Sequence, residues 1–139
     1  MNETERWLAA ARRFAAALDA CDYATADEFL AADCHYDGPR GSYVGPEAII
    51  DSYRESDARG RRQFDGVSYR SEATPEGPGR VRLTYIDEIR YRSTEHTYRC
   101  CQILRFNRQG EVEHIEHVEL PGERECFREF CRTCGIRWE

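Results

Sequence analysis

Apolar residues recur near the start of the chain at the spacing of a helix. Between residues 5 and 19, ERWLAAARRFAAALD, the positions Trp7, Leu8, Ala11, Phe14, Ala15 and Leu18 fall on one face of a 3.6-residue turn. A long amphipathic helix is predicted there. A shorter helix is predicted over residues 22–33, with Asp22 as its N-cap and Tyr23, Ala26, Phe29 and Leu30 on one side. Residues 34–37 read as a brief strand and residues 38–45 as a turn-rich link. A third helix starts at Pro46, where the missing N–H of proline costs nothing. After Gly60 the character changes. Residues 62–74, 79–92, 95–107 and 111–120 are four stretches rich in β-branched and aromatic residues, separated by turn sequences, and they predict an antiparallel meander. Residues 121–136 return to helical spacing, with a stripe of Phe127, Phe130, Cys131 and Cys134 and with Gly135 as the stop.

Composition narrows the function classes. At 139 residues the chain predicts a single domain spanning 1–139. No apolar run approaches the length of a membrane span, and the acidic, amphipathic start lacks the blocks of a signal peptide, so the expected location is intracellular, in the cytoplasm. The seven cysteines then read as reduced thiols. The spacing of Cys126, Cys131 and Cys134 lacks a fourth ligand, and the apolar stripe already accounts for it, so no metal is expected. A net charge of −6 argues against nucleic acid as a partner. All 20 basic residues are arginine, which excludes a Schiff-base lysine, a pyridoxal phosphate anchor and a phosphate-loop lysine; no cofactor is expected.

The order of helix, short helix, short strand, helix and four-stranded meander resembles the nuclear transport factor 2-like superfamily. Locally, residues 16–39 (AALDACDYATADEFLAADCHYDGP), 43–54 (YVGPEAIIDSYR) and 103–120 (ILRFNRQGEVEHIEHVEL) are similar to its ketosteroid isomerase and SnoaL-like polyketide cyclase branches. The resemblance implies an α+β fold, a cone-shaped barrel in which N-terminal helices pack in a curved, mainly antiparallel sheet, here with an extra C-terminal helix. It also implies an interior pocket lined by Phe14, Tyr36, Tyr53 and Gln102 and a homodimer formed through the outer sheet face. Where the isomerases carry a tyrosine, a base and a second oxygen-binding acid, this chain has Phe14, Gly38 and Gln102. Phe14 and Gly38 lack the required groups, which argues against steroid isomerisation by that route.

Residues 111–120, EVEHIEHVEL, hold His114 and His117 three apart, and on a strand that places them on opposite faces. A hairpin closed around residues 107–110 sets Cys100 opposite His117 and Gln102 opposite Ile115. A hairpin closed around residues 92–95 sets Asp87 opposite Cys100 and Tyr85 opposite Gln102. One face then carries Tyr85, Asp87, Tyr98, Cys100, Gln102, Leu104, Ile115 and His117, and is assigned to the interior. The other carries Ile86, Cys101, Ile103, Val112 and Val118, and is assigned to the dimer. The row Asp87, Cys100, His117 is the candidate catalytic feature: a carboxylate beside an imidazole for acid/base work, a Cys-His-Asp nucleophile, or a satisfied polar pair in a ligand pocket. With the resemblance, which places Gln102 and so this face in the interior, a pocket for a small hydrophobic, ring-containing molecule is expected. Asp87 and His117 would catalyse an isomerase, cyclase or hydro-lyase reaction while Phe14, Tyr36, Tyr53, Tyr85, Tyr98, Cys100, Gln102 and Ile115 contact the substrate. The alternative is a non-catalytic binding or association module.

Overall fold

A computed structural model describes residues 2–138. Helix α1 spans Glu3–Asp19, opened by Asn2, whose side chain accepts a hydrogen bond from the Glu5 N–H at 2.8 Å. Its apolar face is buried as the periodicity predicts. Helix α2 is shorter than its pattern suggests, Tyr23–Asp27, and strand β1 begins at Leu30 and runs to Gly38. Pairing decides this difference: Leu30, Ala31, Cys34 and Tyr36 are buried against the core, and the Phe29 carbonyl accepts from Val112 N–H at 2.8 Å. Tertiary burial of this stretch as a strand outweighs its helical propensity. The link after it also differs from expectation. Pro39 and Arg40 form a two-residue turn, and residues Gly41–Val44 return as edge strand β2 beside β1. Helix α3 follows at Pro46–Gln63.

The meander is formed by β3 (Gly66–Gly77), β4 (Arg80–Tyr91), β5 (Thr94–Phe106) and β6 (Val112–Glu119), followed by helix α4 (Glu123–Cys134), which Gly135 ends at φ +73°. The sheet order is β2-β1-β6-β5-β4-β3, antiparallel except where β1 lies parallel to β6.

Both hairpin registers differ from the sequence expectation by two residues, for different reasons. Between β4 and β5 the loop has two residues, Arg92 and Ser93, rather than four; Arg92 adopts φ +55° and Tyr91 pairs with Thr94. Tyr85 therefore faces Cys100 and Asp87 faces Tyr98. Between β5 and β6 the loop is longer, because the Asn107 side chain accepts from the Gln109 and Glu111 N–H groups and a bulge follows at Arg105/Phe106. Cys100 therefore faces Glu119, and Gln102 faces His117. An even slip preserves the face of every residue. Val112, on the far side of the bulge, is the exception: assigned to the outer face from the sequence, it is fully buried in the core.

Two apolar clusters fill the cone from opposite ends. The larger joins α1 to the inner sheet face through Phe14, Leu83, Leu104 and Ile115, with Trp7 stacked on Phe106 at 5.3 Å. Gly110 is required beside that stack: it sits at φ +82°, and a Cβ there would lie 2.8 Å from the Trp7 ring. The smaller cluster joins α4 to the sheet through Phe64, Ile89, Phe127, Phe130 and Cys131, with Trp138 against it. On the outer face Ile86, Cys101 and Ile103 are buried yet belong to neither cluster. By strand alternation they share that face with Arg82, Arg99 and Arg105, whose long stems can cover apolar neighbours. Among the described residues no helix is long and apolar enough to cross a membrane.

Candidate functional site

A cavity of about 760 Å³ lies on the inner sheet face between the two clusters, within the usual range for small-molecule sites. Tyr36, Tyr53, Tyr85, Asp87, Tyr98, Cys100, Gln102 and His117 all line it. Phe14 and Ile115, assigned to the pocket from the sequence, do not. Both are fully buried in the core, where Phe14 supports the Tyr53 ring edge-on at 6.2 Å.

At the centre Gln102 bridges two tyrosines. The Tyr53 hydroxyl donates to Gln102 Oε1 at 2.6 Å, and Gln102 Nε2 donates to the Tyr36 hydroxyl at 3.0 Å. The Tyr36 and Tyr53 rings stack at 5.4 Å, which holds the bridge in place. Each donor polarises the next, so the chain ends on the Tyr36 O–H as a strengthened donor. Gly38 makes room for this arrangement, since a Cβ there would lie 2.9 Å from Tyr36 Cζ. Burial pushes both hydroxyls well above the usual tyrosine value, so they act as neutral donors. Tyr85 differs. Its hydroxyl is buried without a partner among the described residues.

Asp87 sits in the row Tyr69, Asp87, Tyr98. Among the described residues no hydrogen bond or ion pair reaches its carboxyl. Burial, with added repulsion from Asp19 and Glu88, raises its pKa from 3.8 to about 7. Asp19, the last residue of α1, lines the same cavity and accepts from Ser71 Oγ at 2.7 Å. Burial raises its pKa also, against the effect of that bond.

His117 lies in a different row, Leu83, Gln102, His117, two rows from Asp87 and about 13 Å away along the strands. The expected Asp87, Cys100, His117 row therefore does not form. The carboxylate beside His117 is Glu119, with Nε2 and Oε1 3.1 Å apart. Glu119 also accepts from the Tyr98 hydroxyl at 2.7 Å and from Arg124. Despite burial, Arg124 and Tyr98 hold Glu119 below the usual glutamate value. An ionised Glu119 has no proton to give, so His117 presents Nε2–H to it, and Nδ1 is buried without a partner among the described residues. Cys100 lies in the row between Asp87 and His117, and burial pushes its thiol well above its usual value, which removes the thiolate a nucleophile requires.

His114 points away from this cavity, as alternation predicts. It meets Asp37 on the outer side at 2.8 Å, where Ser42 Oγ also donates to Asp37 at 2.8 Å. Among the described residues no group of three or more His, Cys, Asp or Glu side chains could hold a metal ion, and the seven cysteines are free thiols. Asp19 and Glu119 were missed from the sequence. Asp19 reads there as the polar end of an amphipathic helix, and Glu119 as one more charge near the end of the last strand.

The model of the SnoaL-like domain matches residues 11–115, most of the chain. Among curated proteins there is no match. Several solved structures share the fold. A putative polyketide cyclase from Xanthomonas campestris pv. campestris is 14% identical, with 93% of this chain and 99% of that one covered and a TM-score of 0.70. TerC, co-crystallised with polyporic acid, is 16% identical over 91% and 98% of the two chains, with a TM-score of 0.69. An LEH-like epoxide hydrolase from M. tuberculosis is 16% identical over 94% and 93%, with a TM-score of 0.67. The architecture is thus the nuclear transport factor 2-like cone expected from the sequence, and at these identities the likeness speaks for the fold alone.

Proposed function

The chain belongs to the SnoaL-like domain family, and from that premise we propose that it is a cofactor-independent enzyme moving protons on a hydrophobic, ring-containing small molecule that bears an oxygen function. The reaction class is an isomerisation, cyclisation or hydro-lyase step. The observation that carries this reading is Asp87: a carboxyl facing a small-molecule-sized cavity, free of hydrogen bonds and ion pairs among the described residues, with a pKa of about 7. A base matched to neutral pH both accepts and returns a proton efficiently.

In this reading Asp87 takes a proton from carbon beside a substrate carbonyl, whose oxygen accepts hydrogen bonds from Tyr36, at the end of the Tyr53 and Gln102 chain, and from the unpartnered Tyr85 hydroxyl. His117 Nδ1 serves a second position on the substrate, because Asp87 and His117 lie too far apart to share one proton. Cyclase and hydro-lyase chemistry both need such a second group. A homodimer through the outer face, at Ile86, Cys101 and Ile103, remains part of the proposal, with sedimentation of the purified chain as its check.

The test is turnover of ring ketones and hydroxylated aromatics by the wild type, Asp87→Asn and His117→Gln. Loss of turnover in Asp87→Asn by two orders of magnitude or more is expected. Unchanged turnover would remove Asp87 from the chemistry. Tight binding without turnover by the wild type would leave a ligand-binding module instead.

A further inference from the structure

A second groove, of about 540 Å³, runs between α1 and β3. Ala15, Ala16 and Ala20 leave it open on the helix side, and exposed Arg12, Arg70 and Glu72 along its walls give it access to solvent. Among the described residues only Asp19 and Tyr69 line both this groove and the main cavity. They form the partition between the groove, at the β3 edge of the sheet, and the interior.

The register places this partition beside Asp87. Ser71, which holds Asp19, pairs with Tyr85, and Tyr69 pairs with Asp87. These rows are two residues apart, about 7 Å along the strand. The buried, unpartnered Tyr85 hydroxyl belongs to the first row and the Asp87 carboxyl to the second. The other groups around Asp87 offer its proton no exit. Tyr69 donates to Asp57, which is itself bound by Arg61; Tyr98 donates to Glu119; and the Cys100 thiol is held protonated by burial. Glu88 is on the opposite face, tied to Thr97 and Arg70.

We propose that Asp19 is the proton-exchange residue of the cavity, passing protons between the α1–β3 groove and Asp87 while a ligand fills the space above them. This rests on the reading of Asp87 as the base. The carbon–hydrogen bond of the substrate breaks and an O–H forms on Asp87. That proton then moves, through an intervening water or the Tyr85 hydroxyl, to the Asp19 carboxylate, which releases it to water in the groove. Charge and atoms balance with no further reactant, and Asp87 is returned to its basic form without the ligand leaving.

Asp19→Asn keeps an oxygen for Ser71 and removes the carboxylate, and Asp19→Glu restores it. Two measurements decide. In a ¹³C carboxyl titration of the ligand-free protein, Asp19→Asn is expected to lower the Asp87 midpoint by about one pH unit, the scale of repulsion between charges one row apart. An unchanged midpoint overturns the proposal. In D₂O, deuterium incorporation next to the carbonyl of 2-tetralone, followed by ¹H NMR, is expected to slow at least about tenfold in Asp19→Asn and to recover in Asp19→Glu. Equal rates in wild type and Asp19→Asn overturn the relay. If Asp87→Asn exchanges as fast as wild type, the base assignment itself fails, and no exchange by the wild type would sink both.

Discussion

Replacing Asp87 by asparagine should make the protein more stable, and by an amount that depends on pH. In the unfolded chain the carboxyl titrates near 3.8, and in the folded protein near 7. The folded state therefore holds this proton more tightly. The contribution of the group is fully present below about pH 3.8 and is lost as pH rises through 7. Each pH unit of separation corresponds to about 1.4 kcal/mol, which puts the loss above pH 8 at about 4 kcal/mol, or about 2 kcal/mol where water in the cavity screens the charge. Asparagine has the same shape and never ionises. Urea denaturation at pH 8.5 should show Asp87→Asn to be about 2–4 kcal/mol more stable than wild type, while at pH 4.5 the gain shrinks to about 1 kcal/mol. A gain of the same size at both pH values, or none at pH 8.5, would refute the claim that the cavity holds this carboxyl out of its preferred charge state. A site residue whose removal stabilises the fold is the pattern expected of a group kept for chemistry rather than for packing.

Gln102→Leu leaves the Tyr36 and Tyr53 hydroxyls without partners and should cost about 2–4 kcal/mol by urea denaturation. In that background Tyr53→Phe should cost much less than it does in the wild type, since the two residues act as one unit. Gly38→Ala brings a Cβ within 2.9 Å of Tyr36 Cζ. The ring must shift and break from Gln102, so stability should fall by about 1–3 kcal/mol, with a displaced Tyr36 in a crystal structure. Phe130→Ala removes a buried ring from the smaller cluster and should cost about 3 kcal/mol. Amide exchange in α4 should rise well before exchange in the meander, because α4 draws its burial from that cluster.

The architecture was legible because it depends on periodicity. The 3.6-residue spacing of Trp7, Leu8, Ala11, Phe14, Ala15 and Leu18 and the strand-like composition after Gly60 each permit one packed arrangement, and α1 and the meander follow. What failed was local. Residues 28–33 carry helical spacing, yet Leu30 and Ala31 gain more burial in a strand beside β6. The two hairpin registers differ from expectation by two residues in opposite senses. Arg92 tolerates a left-handed turn without glycine, and Asn107 gathers a longer loop with its side chain. Neither device has a sequence signature as clear as Asn-Gly.

The opposite slips explain why the face assignment survived and the row did not. Each slip was even, so Tyr85, Asp87, Tyr98, Cys100, Gln102 and His117 all stayed on the cavity side. Their offsets accumulated across three strands, however, and moved His117 four residues from the row of Asp87. A face is a property of parity and tolerates such errors; a catalytic pair is a property of distance and does not. The correction changes the chemistry as well as the map. His117 is positioned by Glu119, and Asp87 is left with a second carboxyl, Asp19, as its acidic neighbour from another element. A carboxylate facing an imidazole would have been held charged and low, whereas a buried one with another carboxylate near it is driven toward neutrality. The raised pKa of Asp87 is thus first a consequence of its burial, to which the helix end that delivers Asp19 adds repulsion.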